Sequence, residues 1–239
     1  MTDTITDAPA TGLPIPMPRL PPRVAAGARP HGLSPGELVK LYHSLAESLD
    51  TDHGVIAQFV APEPDAAIES VVYDLAYISA AWLGKRVLFV NGVGMRFDGS
   101  EQGRPTRQEP TLAGHTSLHD IESSITRVVG LELYQMKFPT MRGTLDLAPT
   151  LRQIPEFLGR LRDSFDLVVI ASPAASEAPM GVLLSRFVDG TILVLEAGRT
   201  RAPVAAELRD ALASSGGAVV GAVLTRYRSH VPRCLRRWL

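Results

Sequence analysis

Short runs rich in Val, Ile and Leu return along the chain at 55–61, 86–90, 131–136, 167–170, 191–195 and 218–224. A strand with one wet face alternates apolar and polar residues, whereas a continuous apolar run needs cover on both faces. Between these runs apolar residues recur at helical spacing, which predicts helices over 65–83, 117–127, 150–163, 178–187 and 202–214. Strand and helix in alternation predict an α/β fold: a mostly parallel central sheet with helices on both faces, three layers in all. Residues 92–116, rich in Gly, Pro and polar types, read as a long loop.

Ordered structure is expected to begin near residue 33. Ser34-Pro35-Gly36-Glu37 has the form of a capping box, with Pro at the first helical position. Leu38, Leu41, Tyr42, Leu45 and Leu49 follow at helical spacing, so a helix is predicted over 35–49. Ahead of it, residues 1–32 hold seven of the 19 prolines. Proline at that density removes amide donors and blocks helix, which predicts an extended tail. The chain therefore divides into a tail (1–32), an α/β domain (33–228) and a short C-terminal segment (229–239).

The composition narrows the function classes. Twenty-four Lys and Arg stand against 25 Asp and Glu, a formal charge of −1. That balance argues against bulk nucleic-acid binding, which needs a cationic face, and no nucleic-acid partner is expected. A lone cysteine, Cys234, permits no internal disulfide and points to a reducing compartment. No run of eighteen apolar residues is present, and the acidic N-terminus lacks the form of a secretory signal, so the expected location is cytoplasmic.

Generic site motifs are weak. Gly92-x-Gly94 follows a strand, but Phe97 occupies the third position of a dinucleotide fingerprint. His115 and His119 are four apart beside Asp120, without an evident third metal ligand. Cys234 has no base near it in sequence.

Four segments are more informative taken together: Gly84-Lys-Arg-Val-Leu-Phe-Val, Phe165-Asp-Leu-Val-Val-Ile, Val188-Asp-Gly-Thr-Ile-Leu-Val-Leu-Glu-Ala-Gly-Arg-Thr and Gly221-Ala-Val-Leu-Thr. Their order and spacing resemble the cytoplasmic kinase domain of bacterial polysaccharide tyrosine autokinases (the CpsD/CapB type), relatives of the ParA/MinD-like P-loop ATPases. The resemblance covers roughly residues 33–239 and implies a P-loop NTPase-like sheet.

The same resemblance locates the positions where catalytic groups would stand. A P-loop wraps phosphate with glycine amides, reaches it with a lysine and holds magnesium with Ser or Thr. At the family's spacing the lysine falls on Glu69 and the hydroxyl on Ser70, within a segment Pro62-Glu-Pro-Asp-Ala-Ala-Ile-Glu-Ser70 that has neither glycine nor lysine. The family's Asp-x-Asp motif reads Asn91-Gly92-Val93, and its Walker B aspartate reads Ala171. A tyrosine-rich tail is missing as well, since only Tyr227 follows Tyr134. The expectation is a pseudokinase without catalytic residues, cofactor or metal. An atypical nucleotide site using Ser70, Arg96 and Ser172 is the enzymatic alternative.

Two surfaces remain as interface candidates. The family's Glu-x-x-Arg-x-x-Arg oligomerisation motif falls on Glu37, Lys40 and His43, which makes the first helix a candidate for homo-oligomer formation. At the C-terminus, Val231, Cys234, Leu235, Trp238 and Leu239 share one face of a would-be helix, with Arg233, Arg236 and Arg237 on the other. Basic residues with Trp and Leu suit an anionic membrane surface or a groove on a membrane partner. By resemblance the expected role is an accessory or regulatory part of a bacterial exopolysaccharide synthesis and export complex, cytoplasmic and peripheral to the inner membrane. Its partner would be a membrane polysaccharide co-polymerase (the chain-length determinant) or a kinase paralogue. A ParA/MinD-like positioning scaffold is the second reading.

Overall fold

The first helix begins as the capping box requires. In the computed structural model, which describes residues 32–49, 53–64, 67–93, 111–112, 125–137, 140–141 and 147–227, α1 (Pro35–Ser48) is capped by Ser34. The Glu37 amide donates to Ser34 Oγ at 3.3 Å, and the Glu37 carboxylate accepts from the Ser34 amide at 2.7 Å. The expected tail apart from Gly32, the segment 229–239, and Gly94, Arg96, Phe97, His115, His119 and Asp120 lie outside the described residues.

After β1 (Val55–Val60) comes α2 (Ile68–Leu83), then β2 (Val87–Asn91). Gly84 ends α2 in the left-handed region (φ +64°), and the Lys85 amide donates to the Ser79 carbonyl at 3.1 Å. The remaining elements are β3 (Thr111–Leu112), β4 (Thr126–Arg127), β5 (Leu133–Lys137), β6 (Thr140–Met141), α3 (Leu147–Ser164), β7 (Leu167–Ala171), α4 (Met180–Leu183), a 3-10 turn (Leu184–Phe187), β8 (Gly190–Glu196), α5 (Ala202–Ser214) and β9 (Val219–Thr225). Seven strands form one sheet in the order β4-β5-β2-β7-β1-β8-β9, parallel except for β4.

Strand parity sorts the core into two layers. Ala57 and Phe59 face α2, packed with Val71, Leu75 and Ile78, and α1 closes over the outside with Leu38 and Leu45. Ile56 and Val60 face the other way, toward Leu158 and Leu161 of α3 and Leu208 and Leu212 of α5. Because α2 lies between the sheet and α1, it is buried on nearly every side, from Ile68 through Ala80. Each fully buried Leu, Ile or Phe contributes about 1.5–3 kcal/mol. At the amino ends of the strands, Asp189 accepts from the Ile56 amide at 2.7 Å and from Arg162 at 2.6 Å, tying α3 to the sheet.

Three sequence expectations need correction. Residues 126–127, expected to finish a helix, form β4, antiparallel to β5 through Thr126↔Gln135 and Arg127↔Tyr134. The turn at Val129-Gly130, with Gly130 at φ +81°, makes this a hairpin, closed by the Val128 amide on the Leu133 carbonyl at 2.8 Å. The helix expected over 178–187 is one α-turn followed by a 3-10 turn, within which the Ser185 hydroxyl donates to the Val182 carbonyl at 2.6 Å. Within the expected loop 92–116, Thr111–Leu112 pairs in parallel with Thr140–Met141. Finally, Gly32 lies beside the exit of β9: a Cβ there would stand 3.6 Å from the Arg226 amide nitrogen and 4.0 Å from that of Tyr227.

Candidate functional site

In an open parallel sheet, ligands bind beyond the carboxyl ends of the strands, where successive connections leave in opposite directions. Here that place is the end of β1 and β7. The chain leaves β1 for α2 on one face, and leaves β7 for α4 on the other. Three segments meet there: Ala61-Pro62-Glu63-Pro64 with the first turn of α2, Asn91-Gly92-Val93 at the end of β2, and Ala171-Ser172-Pro173-Ala174 at the end of β7.

The structure brings these segments into direct contact. The Ala175 amide donates to the Ala61 carbonyl at 3.0 Å and the Ser176 amide to the Pro62 carbonyl at 3.1 Å, so the loops after β1 and β7 are laced together. The Gly92 amide donates to the Ala171 carbonyl at 2.8 Å. A Cβ on Gly92 would fall 2.9 Å from that oxygen, so the close approach of the two strand ends requires glycine. Pro62, Ala171, Ala174 and Ala178 are all buried at this junction.

Ser70, Asn91 and Ser172 direct their side chains at the protein itself. Ser70 Oγ donates to the Ala67 carbonyl at 2.8 Å, inside the first turn of α2. Asn91 Oδ1 accepts from the Val93 amide at 2.9 Å, a local turn. Ser172 Oγ accepts from Gln58 Nε2 at 2.8 Å beneath the loops. Gln58 sits in the middle of β1 and is fully buried. Its amide also donates to the Gly181 carbonyl at 2.6 Å, and Thr191 Oγ1 lies 3.4 Å from Gln58 Oε1. Glu69 is exposed on the opening turn of α2, and Glu63 is exposed on the loop before it. A polyphosphate there would meet carboxylates, and its usual partners, glycine amides and a lysine, are not in the segment.

The other candidates are more dispersed. Glu37 engages its carboxylate in the α1 cap, while Lys40 and His43 are exposed, the His43 ring edge-on to Tyr42 at 5.6 Å. Arg233, Arg236, Arg237 and Trp238 lie outside the described residues. Among the described residues no group of three or more His, Cys, Asp or Glu converges, and no helix is long and apolar enough to cross a membrane. Sequence reasoning missed Gln58. A lone amide within an otherwise apolar central strand was the available signal, because such a group needs partners.

The fold is similar to those of solved tyrosine kinase domains and of a MinD ATPase. The BceF tyrosine kinase domain superposes with a TM-score of 0.59 at 21% identity, covering 80% of this chain and 74% of that one. The kinase domain of the Escherichia coli tyrosine kinase ETK gives 0.63 at 17% identity, over 83% and 79%. The cell-division ATPase MinD of Pyrococcus furiosus gives 0.52 at 22% identity, over 75% and 76%. At these identities the likeness is one of fold. The sequence matches no protein-family model and no curated protein.

Proposed function

We propose that the protein is a non-catalytic, kinase-fold component of a bacterial exopolysaccharide synthesis and export complex, acting by docking rather than by phosphoryl transfer. The observation that carries this reading is the junction of β1, β2 and β7. Glu69, Ser70, Asn91, Val93 and Ala171 offer no lysine and no carboxylate pair for nucleotide and magnesium, and Ser70 and Asn91 are bonded to the local backbone. The fold of tyrosine kinase domains such as BceF and ETK supports the setting. Its partner is a membrane polysaccharide co-polymerase or an active kinase paralogue, met at the cytoplasmic face of the inner membrane. The exposed Lys40 and His43 on α1 offer a face for self-association. The basic, Trp-containing segment 229–239 offers an anionic-membrane or partner contact.

The test is calorimetric titration of the full chain with ATP and magnesium, alongside an autophosphorylation assay. No heat of binding and no phosphotyrosine are expected. Micromolar affinity for ATP would end the reading. Likeness to MinD supports a second one, a positioning scaffold; co-purification with a co-polymerase or kinase paralogue, rather than movement between cell sites, separates the two.

A further inference from the structure

A groove of about 620 Å³ runs between α5 and the carboxyl ends of β8 and β9, away from the β1–β7 junction. Its origin is in the sequence of α5. The second half of that helix drives Leu208 and Leu212 into the core, whereas the first half presents Ala202, Ala205 and Ala206 to the sheet. Methyl groups leave space where leucines would have filled it. Leu193 and Leu195 line the groove, and its outer lip is Leu224 and Tyr227, 47% and 62% exposed. Two large apolar side chains thus stand open at the edge of a recessed apolar surface.

The rim is cationic. Arg199 and Arg226 share a single carboxylate, Glu196, at 3.2 and 2.9 Å, and Arg209 pairs with Asp210 at 2.8 Å. Arg201, at the start of α5, is exposed. The excess extends along the chain: residues 196–239 hold eight arginines and three acids, in a protein whose formal charge is −1.

We propose that this groove seats an acidic amphipathic helix of a partner protein, its apolar side chains in the cleft and its carboxylates against Arg199, Arg201, Arg209 and Arg226. Guanidinium groups match carboxylates with paired hydrogen bonds, and a helix laid between a helix and a sheet edge presents apolar anchors at i, i+3, i+4 and i+7. The chain's own C-terminal segment suits the site poorly. It carries Arg228, Arg233, Arg236 and Arg237 with no acid, and would place like charges together. A flat bilayer does not reach the recessed Leu193 and Leu195. This inference is independent of the proposed role in polysaccharide export.

The experiment is fluorescence anisotropy of the full chain with a labelled fourteen-residue helical peptide of leucine and glutamate, Leu on one face, against the same peptide with lysine for glutamate. The glutamate peptide is expected to bind at least tenfold more tightly, with affinity falling as salt rises. Ala206→Trp, which fills the cleft, and Leu224→Glu are each expected to cost tenfold or more. Arg201→Glu, a surface change that leaves the fold alone, is expected to weaken binding severalfold. Equal binding of the two peptides, or indifference to these substitutions, overturns the proposal. So does a tenfold gain on deleting 229–239, which would make that segment the resident occupant. Competition by phosphatidylglycerol vesicles, or a dimer in sedimentation that Leu224→Glu dissolves, overturns it equally.

Discussion

Gln58 donates its side-chain amide to the hydroxyl of Ser172 at 2.8 Å, with both residues sealed from solvent. One side chain in β1 thereby holds the loop after β7, and through Gly181 the start of α4.

Replacing Gln58 with Leu keeps the volume but leaves the Ser172 hydroxyl and the Gly181 carbonyl without that donor. The expected loss is about 1–3 kcal/mol of folding stability, read as a lower urea midpoint. Ser172→Ala in the same chain should cost less than it does alone, because the two groups are coupled. A neutral Gln58→Leu variant would show that the network contributes no stability.

Glu69→Lys restores a cation to the opening turn of α2 without restoring glycine amides to the loop before it. No ATP-dependent rise in melting temperature is expected, for either the parent or this variant. The measurement is sensitive: ligand at a hundred times its dissociation constant adds about 2.7 kcal/mol of stability. A clear shift in the variant alone would mean that one side chain separates this site from nucleotide binding.

Tyr77, on α2, has its phenol pushed above the usual 10, chiefly by burial and secondarily by neighbouring Tyr73. The unfolded chain then loses its proton at a lower pH than the folded one. Tyr77 thus contributes stability that is complete below pH 10 and is lost as pH rises through the higher folded value. Denaturation midpoints should fall on that alkaline limb, and Tyr77→Phe should flatten it.

Self-association through α1 is best tested without disturbing Glu37, whose carboxylate belongs to the cap. Lys40→Glu with His43→Glu should shift sedimentation toward monomer at unchanged melting temperature. Ser34→Ala, in contrast, should lower stability by about 1 kcal/mol with no effect on association. An unaltered distribution in the double variant removes this face from the reading.

Deleting residues 229–239 should spare the sheet, since β9 ends at Thr225, and reduce recovery of the protein with membranes. Each arginine contributes about 1 kcal/mol at an anionic leaflet. Changing Arg233, Arg236 and Arg237 to Glu should therefore release the protein, while Lys at all three should retain it. Unaltered fractionation combined with a much lower melting temperature would assign the segment to packing instead.

Much of the fold was legible because its central strands are buried on both faces. Val55–Val60 and Leu167–Ala171 show as apolar runs, and Ser34 with Glu37 announces α1 within four residues. The β4–β5 hairpin was not, since Thr126 and Arg127 are exposed and their pairing depends on a turn at Gly130. The Gln58 network was hidden for a different reason: its partners lie 114, 123 and 133 residues away. The groove on α5 likewise needs three dimensions, because Ala202, Ala205 and Ala206 leave a cleft only when Leu195 and Leu224 stand opposite.

The nearness of Gly32 to Arg226 and Tyr227 makes the α/β domain almost a closed loop of chain. A linker of a few residues could join those two points and turn the domain into a ring. Fresh ends could then be opened at Val129-Gly130, where Val129 is almost wholly in solvent. Covalent closure of so long a loop restricts the unfolded chain, an effect on the order of a few kcal/mol. Such a permuted or circular protein would carry the sheet and the α5 groove without the proline-rich leader or the arginine-rich end.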